Sequence, residues 1–176
     1  MVDGHGRVRL LQLHGWRLPR GDQEPGEPQS SRIFLSDGVP SLNVESDAAY
    51  QAGPNTAAYG VGCWATQEQG YIFAVTPGVA WAILKWDNRA ASPQTVLAAS
   101  DTENAIPGFS NSNRIRGECV GGGGKPAALA LYVNEKKIGT AEDPAGPASF
   151  PGFGFSVFST EAGADVRFDN FAAREP

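Results

Sequence analysis

The chain of 176 residues is long enough to bury a substantial core but short of two ordinary domains, so one domain is predicted. Fourteen Lys and Arg against nineteen Asp and Glu give a net charge of -5, and no basic cluster matches a phosphate backbone. Nucleic acid is therefore not an expected partner. No stretch approaches the roughly 20 apolar residues that cross a bilayer, so no membrane span is expected in this chain.

The first 31 residues differ in composition from the rest. They have little hydrophobic periodicity, and residues 24–31 (EPGEPQSS) are typical of an open linker. The apolar run at residues 8–13 is too short and too polar for the core of an export signal. The sequence predicts a poorly ordered N-terminal arm over residues 1–31 and a folded domain over residues 32–176, with any signal or anchor outside this chain.

From residue 32 onward the sequence alternates as β-strands do. Short apolar runs are separated by Gly, Pro, Asn and Asp, which mark turns, and no segment has the period of an amphipathic helix. At residues 114–120, small or apolar residues alternate with charged ones. The predicted fold class is all-β, a two-sheet antiparallel sandwich. Its predicted strands cover residues 32–35, 41–44, 57–65, 71–75, 79–86, 94–99, 114–120, 129–133, 153–157 and 166–171.

The chain has two cysteines, Cys63 and Cys119, each in a segment that alternates like a strand. Two thiols alone leave two interpretations open. They form a disulfide, or they are buried reduced side chains that act as small hydrophobic residues.

Three segments resemble the bacterial concanavalin A-like jelly rolls, which include laminin-G-like domains and the 3-keto-disaccharide hydrolase-like family. They are YGVGCWATQEQGYIFAV at residues 59–75, NRIRGECVGGGGKPAALALYVNEKKIGTAED at residues 113–143, and VRFDNFAARE at residues 166–175. Such domains occur in secreted proteins, lipoproteins and the outer regions of membrane proteins. The resemblance implies a jelly-roll sandwich outside the cytoplasm, and it leaves the function open because one fold hosts many sites.

The resemblance also implies two local features. It makes the strands of Cys63 and Cys119 neighbours whose cysteines face the same layer, which favours a disulfide. The segment DGVPSLNVE at residues 37–45 resembles a strand of these domains, with Pro40 where an aromatic residue is more usual. Because Pro lacks a backbone N–H, this strand is expected to lie at a sheet edge or to be poorly paired.

These features predict a non-catalytic, extracytoplasmic module that binds or senses a carbohydrate or another cell-surface polymer. Glycosidases of this fold carry an E-x-D-x-E strand; Glu45 and Asp47 begin that pattern, but the second glutamate is missing. The only histidines, His5 and His14, lie in the predicted arm, which leaves Ser–His–Asp hydrolysis and zinc binding without positioned groups. The alternatives are a glycan-active hydrolase of the same fold and a structural domain of a larger surface protein.

Aromatic residues on the central strands are the predicted ligand-binding residues. Trp81 and Trp86 fall on opposite faces of one strand by alternation, so one is expected in the core and the other exposed or in a groove. The predicted binding edge joins aromatic rings to the polar groups that follow Trp86. The edge consists of Trp86, Asp87, Asn88 and Arg89, and Trp81 and Tyr71 are the other predicted ligand-binding residues. The alternative is an ordinary solvated turn beside core aromatics.

A structural calcium ion is the one cofactor that the sequence leaves open. Calcium prefers oxygen ligands, and Asp165, Asp169 and Asn170 lie near the final predicted strand. The interpretation that we favour is a bulge or turn in which the Asp169 and Asn170 side chains bond to the backbone.

Overall fold

The computed structural model describes residues 16–17, 29–101, 106, 110–121, 123–161 and 163–176. In these ranges every regular element is a β-strand, which confirms the predicted all-β fold. Across the same ranges, no helix is long and apolar enough to cross a membrane. The strands are β1 (Trp16–Arg17), β2 (Gln29–Val39), β3 (Ser41–Ala52), β4 (Ala58–Trp64), β5 (Gln69–Val75), β6 (Trp81–Asp87), β7 (Gln94–Ser100), β8 (Ser112–Val120), β9 (Ala127–Val133), β10 (Lys136–Asp143), β11 (Phe150–Phe158) and β12 (Asp165–Arg174).

The strands form two six-stranded antiparallel sheets packed face to face. Sheet I has the order β1-β12-β3-β8-β9-β10, and sheet II has the order β2-β11-β4-β5-β6-β7. Hairpins connect β4 through β7 within sheet II and β8 through β10 within sheet I. The connections on either side of β3 and on either side of β11, and the one between β7 and β8, cross between the sheets. This arrangement is the jelly-roll sandwich that the sequence predicted.

Alternating apolar side chains build the core between the sheets. On β8, residues 115, 117 and 119 are buried while residues 114, 116 and 118 stay partly exposed, which confirms the predicted alternation. Rings from β11 and β12 stack in the centre, with Phe155 at 4.6 Å from Phe168 and 5.9 Å from Phe171. Each such pair adds about 0.5–1.5 kcal/mol beyond its area burial. Because β11 belongs to sheet II and β12 to sheet I, these rings hold the two sheets together.

A disulfide joins Cys63 on β4 to Cys119 on β8, so the interpretation as free thiols is wrong. Their Cα atoms are 6.5 Å apart, and the bond links residues 56 positions apart in the chain. Both side chains are fully buried. The bond crosses from sheet II to sheet I and therefore ties the two layers covalently.

The expectation that Pro40 places its strand at an edge is wrong. Strand β3 begins at Ser41, after the proline, and it pairs with β12 on one side and β8 on the other. Pro40 itself lies between β2 and β3, where its carbonyl accepts a hydrogen bond from the Gly121 N–H at 2.6 Å. No ladder hydrogen bond is lost, since the residue without an N–H stands outside the strand.

Part of the predicted arm is paired. Strand β2 begins at Gln29 and pairs with β11, and Trp16 and Arg17 pair with β12. The other residues of the arm lie outside the described ranges, so the boundary at residue 31 stays a prediction.

Candidate functional site

Trp81 and Trp86 lie on opposite faces of β6, as predicted. Trp81 is partly buried and packs against the core between the sheets, with its ring directly on Gly139 of β10. Trp86 is 9% exposed and belongs to a second apolar cluster, with Trp64 and Leu84, on the outer face of sheet II. Trp86 is nearly closed off from solvent, whereas the side chain of Trp81 is partly exposed and lines a depression beside β6 and β7.

The outer face of sheet II is strongly curved. Trp86, Gly70 and Trp64 lie in one row across β6, β5 and β4, whereas Phe158 pairs with Ala58, six positions from Trp64 along β4. In a flat sheet, Trp86 and Phe158 would be about 20 Å apart along the strands and about 14 Å apart across them. The rings of Trp86 and Phe158 are nevertheless 6.1 Å apart. The sheet is therefore concave on this face, and aromatic side chains fill the hollow.

The residues of the predicted binding edge after Trp86 come together at the end of β6. The Trp86 indole N–H donates to the side-chain oxygen of Asn88. Asp87 accepts hydrogen bonds from the Gln69 amide at 2.5 Å and from the Arg89 backbone N–H at 3.0 Å. The Gln69 bond, followed by those from Arg89, lowers the pKa of Asp87. These polar groups satisfy one another at a turn, and ligand binding there stays a prediction.

Tyr71 is placed differently from its predicted role. Its ring is 1% exposed, and its hydroxyl donates to Asp143 Oδ2 at 2.8 Å. The Lys85 ammonium forms an ion pair with the same oxygen at 2.7 Å. Burial, with the Asp143 contact, raises the pKa of Tyr71 well above its ordinary value. Tyr71 is therefore a core residue that links β5 to the end of β10, and its ring has no face on which a sugar could stack.

The predicted calcium residues lie at a bulge in β12. The ladder shifts between Asp169 and Ala172, and Asn170 has a φ of 49°. The Asn170 backbone N–H donates to Asp169 Oδ1 at 2.7 Å, and the Asn170 side chain donates to Asp47 Oδ2 at 2.7 Å. Asp165 lies four residues earlier on the same strand. In the part of the chain that the structure describes, no three His, Cys, Asp or Glu side chains group as metal ligands. The calcium site stays a prediction.

Glu45 and Asp47 lie on the outer face of sheet I and are held by arginines. Glu45, 7% exposed, pairs with Arg114 at 3.0 Å and with Arg174 at 3.3 Å. Asp47 pairs with Arg114 at 3.1 Å. Burial alone would lower the pKa of Arg114, but its contacts with Asp47 and Glu45 outweigh that effect and raise it. Both acids are thus engaged in a structural cluster that joins β3, β8 and β12.

A cleft of about 600 Å³ lies on the same outer face, over β8, β9 and β10. We call it the β8–β10 cleft. Its floor is formed by Ala128 and Ala130 of β9, whose small side chains leave room between the flanking strands. Its walls carry Glu118 and Val120 from β8 and Lys137, Thr140 and Glu142 from β10. The volume falls within the range of about 300–1,000 Å³ that is usual for ligand pockets.

A polar network closes one end of the β8–β10 cleft. Arg116, Tyr132 and Lys137 form one row across the three strands. The Arg116 guanidinium lies 3.8 Å over the Tyr132 ring and donates to Glu118 Oε1 at 2.7 Å. The Tyr132 hydroxyl donates to Glu118 Oε2 at 2.9 Å, and its contact with Lys137 raises the pKa of that ammonium.

The β8–β10 cleft is not among the predicted binding residues. The available signal was the run of charged residues at 114, 116 and 118 opposite buried positions, which indicated only a half-exposed strand. The residues of β9 and β10 that lie beside these charged residues are determined by the register in which the strands pair, and alternation along one strand does not give that register.

A second depression of about 430 Å³ lies on the concave face of sheet II, beside the aromatic cluster. Its floor is apolar, with Ala74, Ala82 and Leu84, and its rim includes Gln94 and the 58% exposed Val96 of the edge strand β7. Trp81 also lines it, together with four polar residues, Thr76, Gln94, Ser100 and Asp101. Apolar atoms form a larger share of its lining than in the β8–β10 cleft, so it offers less to direct a ligand that carries many hydroxyls.

Comparison with known proteins supports the fold. No protein-family model matches the sequence, and no curated protein is a significant match. Among solved structures, carbohydrate-binding module CBM66 from Bacillus subtilis is similar, with a TM-score of 0.61 and 18% identity over 94% of this chain and 95% of that one. The Emp46p carbohydrate recognition domain is also similar, with a TM-score of 0.55 and 9% identity; the match covers 85% of this chain and 80% of the Emp46p chain.

A GH43 protein from Bacillus licheniformis is also similar, with a TM-score of 0.52 and 12% identity over 84% of this chain. The match covers 33% of that longer chain. At these identities the comparisons establish the β-sandwich fold, and the function must be argued from the site.

Proposed function

We propose that the protein is a non-catalytic carbohydrate-binding module that acts outside the cytoplasm and holds its ligand in the β8–β10 cleft. The fixed polar network beside a floor of small side chains carries this proposal. A sugar needs hydrogen-bonding groups in set directions and a surface against which its C–H groups can lie. Glu118, Lys137 and Thr140 supply the polar groups, and the two alanines supply the surface. The fold likeness to two carbohydrate-binding domains supports the same proposal.

The ion pairs and hydrogen bonds of the carboxylates favour binding without catalysis. Glycoside hydrolysis uses one carboxyl group as an acid and a second as a nucleophile or base. Glu45 and Asp47 are each paired with arginine, and Asp47 also accepts from Asn170. Glu118 accepts hydrogen bonds from Arg116 and Tyr132. This arrangement favours a carboxylate that accepts hydrogen bonds from ligand hydroxyl groups over one that donates a proton to the ligand.

The location outside the cytoplasm is supported by the Cys63–Cys119 disulfide, because such bonds persist mainly in oxidising compartments. The resemblance to extracytoplasmic jelly rolls points the same way. Cell-surface or secreted polymers are the corresponding ligands.

A glycan array with the purified protein tests the proposal, run with calcium and again with a chelator. We expect reproducible binding that the chelator does not change and no release of reducing ends from the bound glycan. A folded sample that binds no glycan on the array would overturn the proposal. Release of reducing ends would establish the hydrolase alternative instead.

Two variants locate the ligand. Loss of binding in Glu118→Gln, with binding kept in Trp86→Ala, is the result expected for the β8–β10 cleft. The opposite result would place the ligand at the predicted edge of Trp86, Asp87, Asn88 and Arg89. Glu161→Gln, an equal change of charge at an exposed position between β11 and β12, is the matched control, and thermal unfolding verifies that each variant is folded.

A further inference from the structure

We infer that the β8–β10 cleft recognises two neighbouring hydroxyl groups, a vicinal diol, on one ring of an uncharged glycan. This inference rests on the proposed function and adds the chemical class of the ligand. It is carried by the way in which the Glu118 carboxylate is held at the cleft wall.

The Glu118 carboxylate has one unused acceptor site on each oxygen. An ionised carboxylate offers about four lone-pair sites, two on each oxygen. Arg116 occupies one site on Oε1, at 2.7 Å, and the Tyr132 hydroxyl occupies one on Oε2, at 2.9 Å. The side chain is 28% exposed and lines the cleft, so ligand can reach the remaining sites. Two adjacent acceptors of this kind match two adjacent hydroxyl donors, as in other bidentate hydrogen-bond pairs.

The carboxylate is also fixed in orientation before ligand arrives. Turning it would break the hydrogen bonds from both Arg116 and Tyr132. Arg116 is in turn stacked on the Tyr132 ring at 3.8 Å, which limits its own movement. A group that is already ordered loses little side-chain freedom on binding, so the pair of acceptors is prepared for its ligand. Lys137 and Thr140 on the opposite wall provide donors for other sugar oxygens.

The charges around the cleft balance. Arg116 and Lys137 carry two positive charges, and Glu118 and Glu142 carry two negative charges. A cleft without net charge gives no general attraction to a polyanion, and its carboxylates would repel uronate or sulfate groups. An uncharged glycan is therefore the ligand class that fits.

Glycan linkage separates ligands that keep such a diol from ligands that lack it. Internal rings of a (1→4)-linked pyranose chain keep free hydroxyls on carbons 2 and 3, which are neighbours. Internal rings of a (1→3)-linked chain have no free neighbouring pair. Periodate cleaves the bond between two carbons that bear neighbouring hydroxyls. It therefore destroys the diols along a (1→4)-linked chain, whereas in a (1→3)-linked chain it attacks the terminal ring and leaves the internal rings intact.

Affinity electrophoresis tests the inference with the full chain in native gels. The gels contain soluble (1→4)-β-xylan, (1→4)-β-mannan, (1→4)-α-glucan or (1→3)-β-glucan, each untreated or oxidised with periodate and then reduced with borohydride. We expect at least one (1→4)-linked polymer to retard the protein, the retardation to disappear after oxidation, and the (1→3)-linked glucan to have no effect. Glu118→Gln should bind at least tenfold more weakly, whereas Glu161→Gln should match the unaltered protein.

The outcomes separate the two proposals. Binding that survives oxidation, including retardation by the oxidised (1→3)-linked glucan, overturns the diol inference and leaves carbohydrate binding in place. Retardation by none of the (1→4)-linked polymers, when other glycans bind on the array, also overturns it. A folded protein that binds nothing in the gels or on the array overturns the proposed function as well.

Discussion

Loss of the Cys63–Cys119 bond is expected to lower the free energy of unfolding by about 4 kcal/mol. The bond links residues 56 positions apart. For that separation the chain-entropy relation gives a change of about 14 cal/mol/K in the unfolded chain, which is about 4 kcal/mol at 25 °C. Both cysteines are fully buried, so the reduced thiols can remain in place as small hydrophobic side chains. In a chain of this size, the melting temperature should fall by about 8–16 °C.

Urea unfolding, followed by tryptophan fluorescence, measures this loss. The oxidised protein is compared with the reduced protein and with the double variant Cys63→Ala/Cys119→Ala. The reductant should not alter the double variant, which serves as its control. A difference below about 1 kcal/mol between oxidised and reduced protein would refute the reasoning that the cross-link acts on the unfolded chain.

Two core features give further tests. Tyr71→Phe removes the hydroxyl that donates to Asp143 and should cost about 1.5–3 kcal/mol in urea unfolding, and an unchanged midpoint would contradict this role. Burial would raise the pKa of Asp143, but hydrogen bonds from Lys85 and Tyr71 outweigh it and lower the pKa. The stabilising contribution of Asp143 is therefore present at neutral pH and is lost as the pH falls below about 4, and Asp143→Asn should flatten that part of the stability curve. Gly60→Ala would place its Cβ 1.8 Å from a backbone carbonyl oxygen of β5, so we expect a loss of about 3 kcal/mol. Gly78→Ala is the control, because its nearest neighbouring atom would be 3.4 Å away and ordinary contact should leave stability nearly unchanged.

The strands could be predicted because burial on one face leaves a period of two in the sequence. Residues 114–120 show it, and the structure places β8 there with the same residues inside. Strand β3 was predicted only as far as Val44, since the acids at 45 and 47 and the alanines after them lack the apolar alternation of a half-buried strand. Pairing on both sides, together with the arginine partners of Glu45, overrides that weak local preference.

The β8–β10 cleft could not be predicted because it depends on register between strands. Arg116, Tyr132 and Lys137 form a row only when β9 and β10 pair as they do, and sequence alternation gives the face of each residue without its neighbour across the sheet. For Trp86, the sequence predicted the face of the sheet but not the burial of the ring. Alternation gave its face correctly, but the curvature that brings Phe158 against it, and so buries it, is a property of the whole sheet.

The disulfide also has a mechanical consequence when the chain is pulled from its two ends. A chain pulled from its two ends can lengthen by about 3.4 Å for each residue that is released. The stretch between Cys63 and Cys119 is closed by a covalent bond, so tension passes through the sulfur atoms and bypasses β5, β6 and β7. About 190 Å of contour is thereby withheld from extension. Three of the six strands of sheet II therefore lie outside the covalent path of the applied load until the bond is reduced.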